Sequence, residues 1–171
     1  MTPRARREAP TTAPPAERAR ELALSILTRA PRSSADLRAR LVAKEVAPEV
    51  ADEVIERYIE VGLLDDASLA ATIARTRHAE RGLAPRAIVQ ELRRKGFEED
   101  HIRAALEPLT ADVEADTARQ LATKRWIRES HAETEARVRR TVSHLARKGY
   151  STSLAFALVR DLQRADSEAE G

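Results

Sequence analysis

The sequence predicts an all-α protein of three tandem three-helix repeats forming an elongated, curved rod. Three observations lead there. Good helix formers dominate the 171 residues: 32 are Ala and 26 Arg, while aromatics make up 3% and Gly only five. Sandwiches and barrels draw instead on β-branched and aromatic strands with Gly-rich turns. A helical apolar period restarts about nine times between Pro and Gly interruptions. Finally, one local pattern recurs at a spacing of about 50 residues.

The elements follow in order. Glu17–Ala30 places Leu22, Ile26 and Leu27 on one side and stops before Pro31. Ser33 or Ser34 caps a second helix carrying Leu37 and Leu41, four apart. Pro48 suits the first turn of a third, where its missing N–H is not needed; Val50, Val54, Ile55 and Tyr58 form its apolar face, and Gly62 ends it. Asp65 or Asp66 caps a fourth with Leu69, Ile73 and Thr76, broken at Gly82. Pro85 starts a fifth with Ile88 and Leu92, and Gly96 closes it. A sixth runs from Glu98 to Glu107, before Pro108. A long seventh, Ala111–Ser130, carries Val113, Leu121 and Trp126. An eighth, Glu133–Lys148, ends at Gly149, and Ser151 opens a ninth with Leu154, Phe156, Leu158, Val159 and Leu162.

The repeat is read from three aligned segments, Leu41 to Val46, Leu92 to Phe97 and Leu145 to Tyr150. Each has Leu three before Lys and an apolar residue two after it, and the Lys-to-Lys intervals are 51 and 53. The first copy has Glu45 where the others have Gly, so its turn is expected to close differently. A three-helix unit of this size buries little alone and gains by stacking. The expected organisation is a disordered, basic, Pro-rich tail over 1–16, repeats over 17–64, 65–110 and 111–165, and a frayed end over 166–171.

Composition excludes several function classes. Without Cys there is no disulfide, thiolate nucleophile or Cys-based zinc site. No apolar run is long enough to span a membrane, and residues 1–15 lack the apolar core of a secretory signal. The expectation is a soluble cytoplasmic chain. His78, His101, His131 and His144 form no ligand pair at helical spacing and read as surface residues. The pair Asp65 and Asp66 reads as a helix cap rather than a metal or general-base pair. No Walker, dinucleotide or nucleophile-elbow motif is present, and neither catalytic residues nor cofactors are expected.

Charge is more informative. The formal net charge is +2, so the chain is no polycation. Yet no acid occurs from Ala136 to Arg160, a stretch holding Arg137, Arg139, Arg140, Arg147, Lys148 and Arg160. Arg119, Lys124, Arg125 and Arg128 fall in another acid-free stretch beside Trp126, and Arg75, Arg77, Arg81 and Arg86 flank the Gly82 turn. Such clusters suit phosphates or acidic protein surface; the plain alternative is a solvated helical face. Phe97, Tyr150 and Phe156 lie on apolar periodicity and are expected in the core.

Four segments then resemble, in order, the motifs of one known family. Gly62-Leu63-Leu64-Asp65-Asp66-Ala67-Ser68-Leu69-Ala70 resembles the "G-L-[IL]-D-D-x-x-[FY]-A" signature of the RecX family of recombination regulators. Arg81-Gly82-Leu83-Ala84-Pro85-Arg86-Ala87-Ile88 is similar to its "G-x-G-P-x-x-I" turn, and Glu91-Leu92-Arg93-Arg94-Lys95-Gly96-Phe97 to its "E-L-x-x-K-G-[IV]" element. Leu145 to Tyr150, leading into Leu154-Ala155-Phe156, looks like the closing motif. The resemblance covers about residues 21–163. Leu69, Ala84 and Glu45 depart from the family pattern at packing or turn positions.

The resemblance implies tandem three-helix units and a non-enzymatic regulator. It would bind the RecA recombinase filament in its helical groove, act as a monomer, and inhibit ATP turnover, filament growth and strand exchange. DNA phosphates in that groove are an expected further contact. The residues expected to carry binding are Arg81, Arg86, Arg93 and Arg94 around the second unit, and Arg137, Arg139, Arg140, Arg147 and Lys148 around the third. The rival reading is a helical-repeat module acting on DNA directly, as three-helix units resemble helix-turn-helix domains.

Overall fold

The computed structural model describes residues 14–169. Within them lie nine helices and no strand: α1 (Pro15–Arg29), α2 (Ser34–Val42), α3 (Pro48–Glu60), α4 (Asp66–Arg81), α5 (Pro85–Arg94), α6 (Glu99–Leu106), α7 (Ala111–Arg128), α8 (Thr134–Arg147) and α9 (Thr152–Ala169). Residues 1–13 of the expected tail and 170–171 of the expected frayed end lie outside the described residues. The chain divides into two compact units, one ending at Asp65 and one beginning at Asp66.

The first unit packs α1, α2 and α3 around Ala19, Ala23, Leu37, Leu41, Val54 and Tyr58. Ser33 caps α2, its hydroxyl accepting from the Asp36 N–H at 3.1 Å. Pro48 stands at the start of α3. Tyr58 Oη donates to the Arg20 carbonyl at 3.0 Å, and Arg38 grips Asp52 with two N–H groups between α2 and α3.

The second unit holds two cores. One joins Ala70, Ala74, Ile88, Leu92, Phe97 and Ile102 from α4, α5 and α6. The other joins Ala118, Ala122, Trp126, Leu145, Tyr150 and Val159 from α7, α8 and α9. In all three repeats the opening helix meets its neighbours through alanines four apart: Ala19 and Ala23, Ala70 and Ala74, Ala118 and Ala122 are at most 1% exposed. The larger apolar residues expected to lead there, such as Leu22, Ile73 and Leu121, pack around these cores only partly buried. Small side chains let the helix axes approach; the Leu and Ile flank the seam.

The turn after each second helix is the same structure three times. Val46, Phe97 and Tyr150 N–H groups donate back to the Leu41, Leu92 and Leu145 carbonyls at 3.1, 3.2 and 3.2 Å. Glu45, Gly96 and Gly149 donate to Val42, Arg93 and Ala146 at 2.9, 3.0 and 3.0 Å. This is the left-handed helix stop that normally recruits Gly. Glu45 adopts it too, with φ +64° beside +82° for Gly96 and +95° for Gly149. The expectation of a different closure is therefore corrected. The hydrogen bonds impose the conformation, and exposed Glu45 carries its steric cost.

Three further expectations are corrected. Phe156 is 45% exposed, because Ala155, Leu158 and Val159 set the buried face of α9 and Phe156 points off it. Val113 is 38% exposed, off the stripe that Ala118, Ala122 and Trp126 define on α7. Asp166 does not fray: α9 continues to Ala169, and the Asp166 carboxylate accepts from Trp126 Nε1 at 2.9 Å and Arg137 Nη1 at 2.6 Å.

Within the second unit the two repeats share backbone hydrogen bonding. Ala84 N–H donates to the Lys148 carbonyl at 2.9 Å, and Tyr150 Oη to the Gly82 carbonyl at 3.0 Å. The Lys148 ammonium reaches the Arg81 carbonyl. His78, expected on the surface, is buried at this seam: Nδ1 lies 3.0 Å from the Leu83 carbonyl and Nε2 2.9 Å from Thr117 Oγ1. An imidazole there satisfies two polar groups from different repeats at once.

Candidate functional site

The expected basic residues fall into two kinds, those consumed by the fold and those left to solvent. Arg137 belongs to the first. Its guanidinium lies 3.8 Å from the centroid of the Trp126 ring, donates to the Trp126 carbonyl at 2.9 Å and pairs with Asp166. Its side chain is 15% exposed. Lys148 is tied to the Arg81 carbonyl. Arg140 pairs with Glu129, whose side chain is 12% exposed, at 2.7 Å, and Arg93 with Glu99 at 2.6 Å on the surface. Arg81 is exposed at the end of α4, near enough to Glu91 to help hold that carboxyl below its usual range.

Arg86, Arg94, Arg139 and Arg147 form the second kind. All four are exposed, and none pairs with a carboxylate among the described residues. Their placement repeats. Arg86 and Arg139 stand nine residues before Lys95 and Lys148, and Arg94 and Arg147 one residue before them. On a helix of 3.6 residues per turn, positions eight apart lie about 80° from each other on one broad face. Thus α5 and α8 each present two unpaired guanidinium groups in the same register. The corresponding positions of the first unit, Ala35 and Ala43, carry no charge.

Asp65 immediately precedes α4 and Asp66 is its first residue. Carboxylates at that end of a helix interact favourably with its dipole. Among the described residues no group of three or more His, Asp or Glu is placed to hold a metal ion. No described helix is long and apolar enough to cross a membrane.

The polar contacts between the first and second helices of the second and third repeats escaped the reading of the sequence. In the second repeat the contact is an ion pair between Arg77 on α4 and Glu91 on α5. Arg77 Nε lies 3.0 and 2.9 Å from the two Glu91 oxygens, and Nη2 lies 2.8 Å from Oε1. Both side chains are about one-fifth exposed. The Arg77 guanidinium holds the Glu91 carboxyl below its usual range despite the opposing effect of burial. In the third repeat Arg125 donates to Glu129, the residue just past the end of its own helix, at 2.5 Å, and His144 on α8 is half-buried. Burial, followed by the charges of Lys148, Arg125, Arg147 and Arg128, holds the His144 imidazole below its ordinary pKa. The signal for these contacts lay in comparing one repeat with the next.

Comparison with known proteins completes the description. Family models described as the first, second and third three-helix domains of RecX match residues 19–57, 65–106 and 112–159. The chain is 47% identical over 154 residues to the regulatory protein RecX of Thermobifida fusca, covering 90% of this chain and 81% of that one. It is 40% identical over 153 residues to the regulatory protein RecX of Mycobacterium avium, covering 88% of each. A crystal structure of RecX from Lactobacillus salivarius matches with a TM-score of 0.74 at 21% identity, over 87% of this chain and 97% of that one. A crystal structure of a regulatory protein RecX matches with a TM-score of 0.70 at 27% identity, over 86% of this chain and 72% of that one.

Proposed function

Since the chain belongs to the RecX family of regulatory proteins, we propose that it binds RecA–DNA filaments and inhibits them. The targets of inhibition are RecA ATPase, filament growth and strand exchange. The protein acts in the cytoplasm as a non-enzymatic monomer, without a cofactor. The observation that carries the contact assignment is the repeated register of unpaired Arg86 and Arg94 on α5 and Arg139 and Arg147 on α8. Unpaired guanidinium groups face a filament's carboxylates and DNA phosphates without first breaking an internal ion pair. Arg93 and Arg140 contribute less, because Glu99 and Glu129 already neutralise them.

The test is the DNA-dependent ATPase of RecA from the same organism, with the full chain titrated in. Inhibition by the wild type, weakened at least tenfold in midpoint by Arg139→Glu with Arg147→Glu, is the expected result. Unaltered inhibition by that folded double variant would remove α8 from the interface. The second reading, action on DNA directly, draws on the same unpaired arginines. It predicts tight binding to bare duplex and no effect on ATPase beyond loss of DNA.

A further inference from the structure

Repeats one and two differ where their first two helices meet. Ile26 and Arg77 each stand three residues after the second alanine of the helix seam, Ala23 and Ala74. Arg40 and Glu91 each stand four residues before the repeat's Lys and directly before a fully buried Leu, Leu41 and Leu92. The second repeat closes this place with the Arg77–Glu91 ion pair. In the first an isoleucine stands for the guanidinium and an arginine for the carboxylate. A cleft of about 390 Å³ opens there, lined by Ile26 and Arg29 of α1, by Arg32, and by Arg40, Ala43 and Lys44 at and just past the end of α2. Asp36 answers these cations in part, lying 2.9 Å from Arg40 Nε and 3.4 Å from Arg32 Nη1. Arg29 and Lys44 are exposed, and neither pairs with a carboxylate among the described residues. Four cations against one carboxylate leave the cleft at +3. The C-termini of α1 and α2 offset roughly half a charge each, so about two positive charges remain.

We propose that this cleft takes an acidic segment of a partner protein. A carboxylate side chain seats among Arg29, Arg40 and Lys44, and a neighbouring apolar side chain lies on Ile26 and Ala43. The volume falls within the roughly 300–1,000 Å³ that binding clefts span. Guanidinium forks match a carboxylate in shape and charge. The surroundings select a peptide over a nucleic acid. Residues 14–65 carry eight Arg and Lys against ten Asp and Glu, so the unit as a whole repels a polyanion. One acidic side chain feels mainly the cations of the cleft, because charges beyond about 8 Å are screened. A nucleic-acid backbone extends past that range and meets the acids. Ala43 stands where Arg94 and Arg147 stand in the other repeats, so the first unit has an apolar floor where they present guanidinium groups. The proposal rests on the regulator reading only in taking a protein as the partner.

The experiment uses the full chain and a fluorescein-labelled peptide of Glu with interspersed Leu, followed by anisotropy at low salt. The wild type should bind it saturably, and the same peptide with Gln in place of Glu about tenfold more weakly or worse. Arg29→Glu with Lys44→Glu removes two cations that have no ion pair to lose, and circular dichroism checks that helicity is kept. The expected result is a loss of affinity for the Glu peptide of about tenfold or more. A second variant, Ile26→Arg with Arg40→Glu, transplants the ion pair of the second repeat and should close the cleft to the peptide. Unchanged affinity in the folded Arg29→Glu, Lys44→Glu variant would overturn the proposal. So would equal affinity for the Gln peptide, or no saturable binding up to about 1 mM. Displacement of the peptide by an equal concentration of a 20-base-pair duplex would overturn it in favour of a phosphate site. RecA ATPase inhibition by the wild type is measured in parallel. Cleft-dependent peptide binding without inhibition defeats the regulator reading alone; inhibition without saturable peptide binding defeats this one alone.

Discussion

Tyr150 Oη donates to the Gly82 carbonyl at 3.0 Å, so the residue closing the second helix of the third repeat also satisfies the turn that opens the second helix of the second. Tyr150 is 3% exposed, and burial pushes its hydroxyl pKa up to about 12, with Glu114 adding to the shift. Tyr150→Phe leaves the Gly82 carbonyl without that donor and should cost about 1–3 kcal/mol in urea denaturation. The wild type should also lose stability from about pH 10 toward 12, since the unfolded chain releases this proton first. Equal stability losses in the variant and wild type over that range would assign the alkaline transition to other groups.

Glu91→Gln should lower stability at pH 7 by about 1.5–3 kcal/mol, the range for a hydrogen bond to a charged partner. Arg77 lowers the folded-state pKa of Glu91 from its ordinary 4.5. Its contribution is complete above the ordinary value and is lost as pH falls through the folded one. The gap between wild-type and variant urea midpoints should therefore narrow as pH falls below the ordinary carboxylate range. A gap of constant size throughout the acid range would attribute the effect to packing instead.

Gly149→Ala and Gly62→Ala form a matched pair, since both glycines have positive φ, +95° and +73°. A Cβ at 149 would lie 2.7 Å from the Ala87 Cβ and 3.2 Å from its backbone nitrogen, whereas at 62 nothing stands within 4 Å. Gly62→Ala should cost about 1 kcal/mol of backbone strain. Gly149→Ala adds displacement of α5 and should cost about 2–4 kcal/mol. Thermal melts showing equal losses would mean that the α5 contact yields freely.

Glu45→Gly relieves the one non-glycine at positive φ among the described residues. The strain removed, about 1–2 kcal/mol, exceeds the added freedom of the unfolded chain, so a gain of about 0.5–1 kcal/mol is expected. A lower melting temperature would show that the Glu45 side chain contributes more than its backbone costs.

The nine helices and the repeat were legible because Pro, Gly and the apolar period punctuate the chain. The helix-packing residues were less so. Alanine ranks low as an apolar marker, so Ala70, Ala74, Ala118 and Ala122 did not stand out, although they are the points of closest packing. Glu45 misled because a residue's usual conformation was allowed to outweigh a hydrogen-bond pattern that three copies share. The basic faces could be counted but not sorted. Arg137 finds its carboxylate 29 residues away and Arg140 finds its own 11 away, distances across which linear charge blocks say nothing. Arg139 and Arg147 look identical to them in sequence, and only the packing leaves these two unpaired.

The Ala84 to Lys148 backbone bond sets how the chain comes apart. The N–H at the start of α5 has its acceptor in the next repeat, so opening either repeat strips the other of a main-chain partner. Residues 66–169 should consequently exchange their amides with solvent as one foldon, and the segment before Asp66 as another. The three repeats thus behave as two cooperative bodies, and among the described residues a protease given the native protein should find its first productive cut at the junction near Asp65 rather than between α6 and α7.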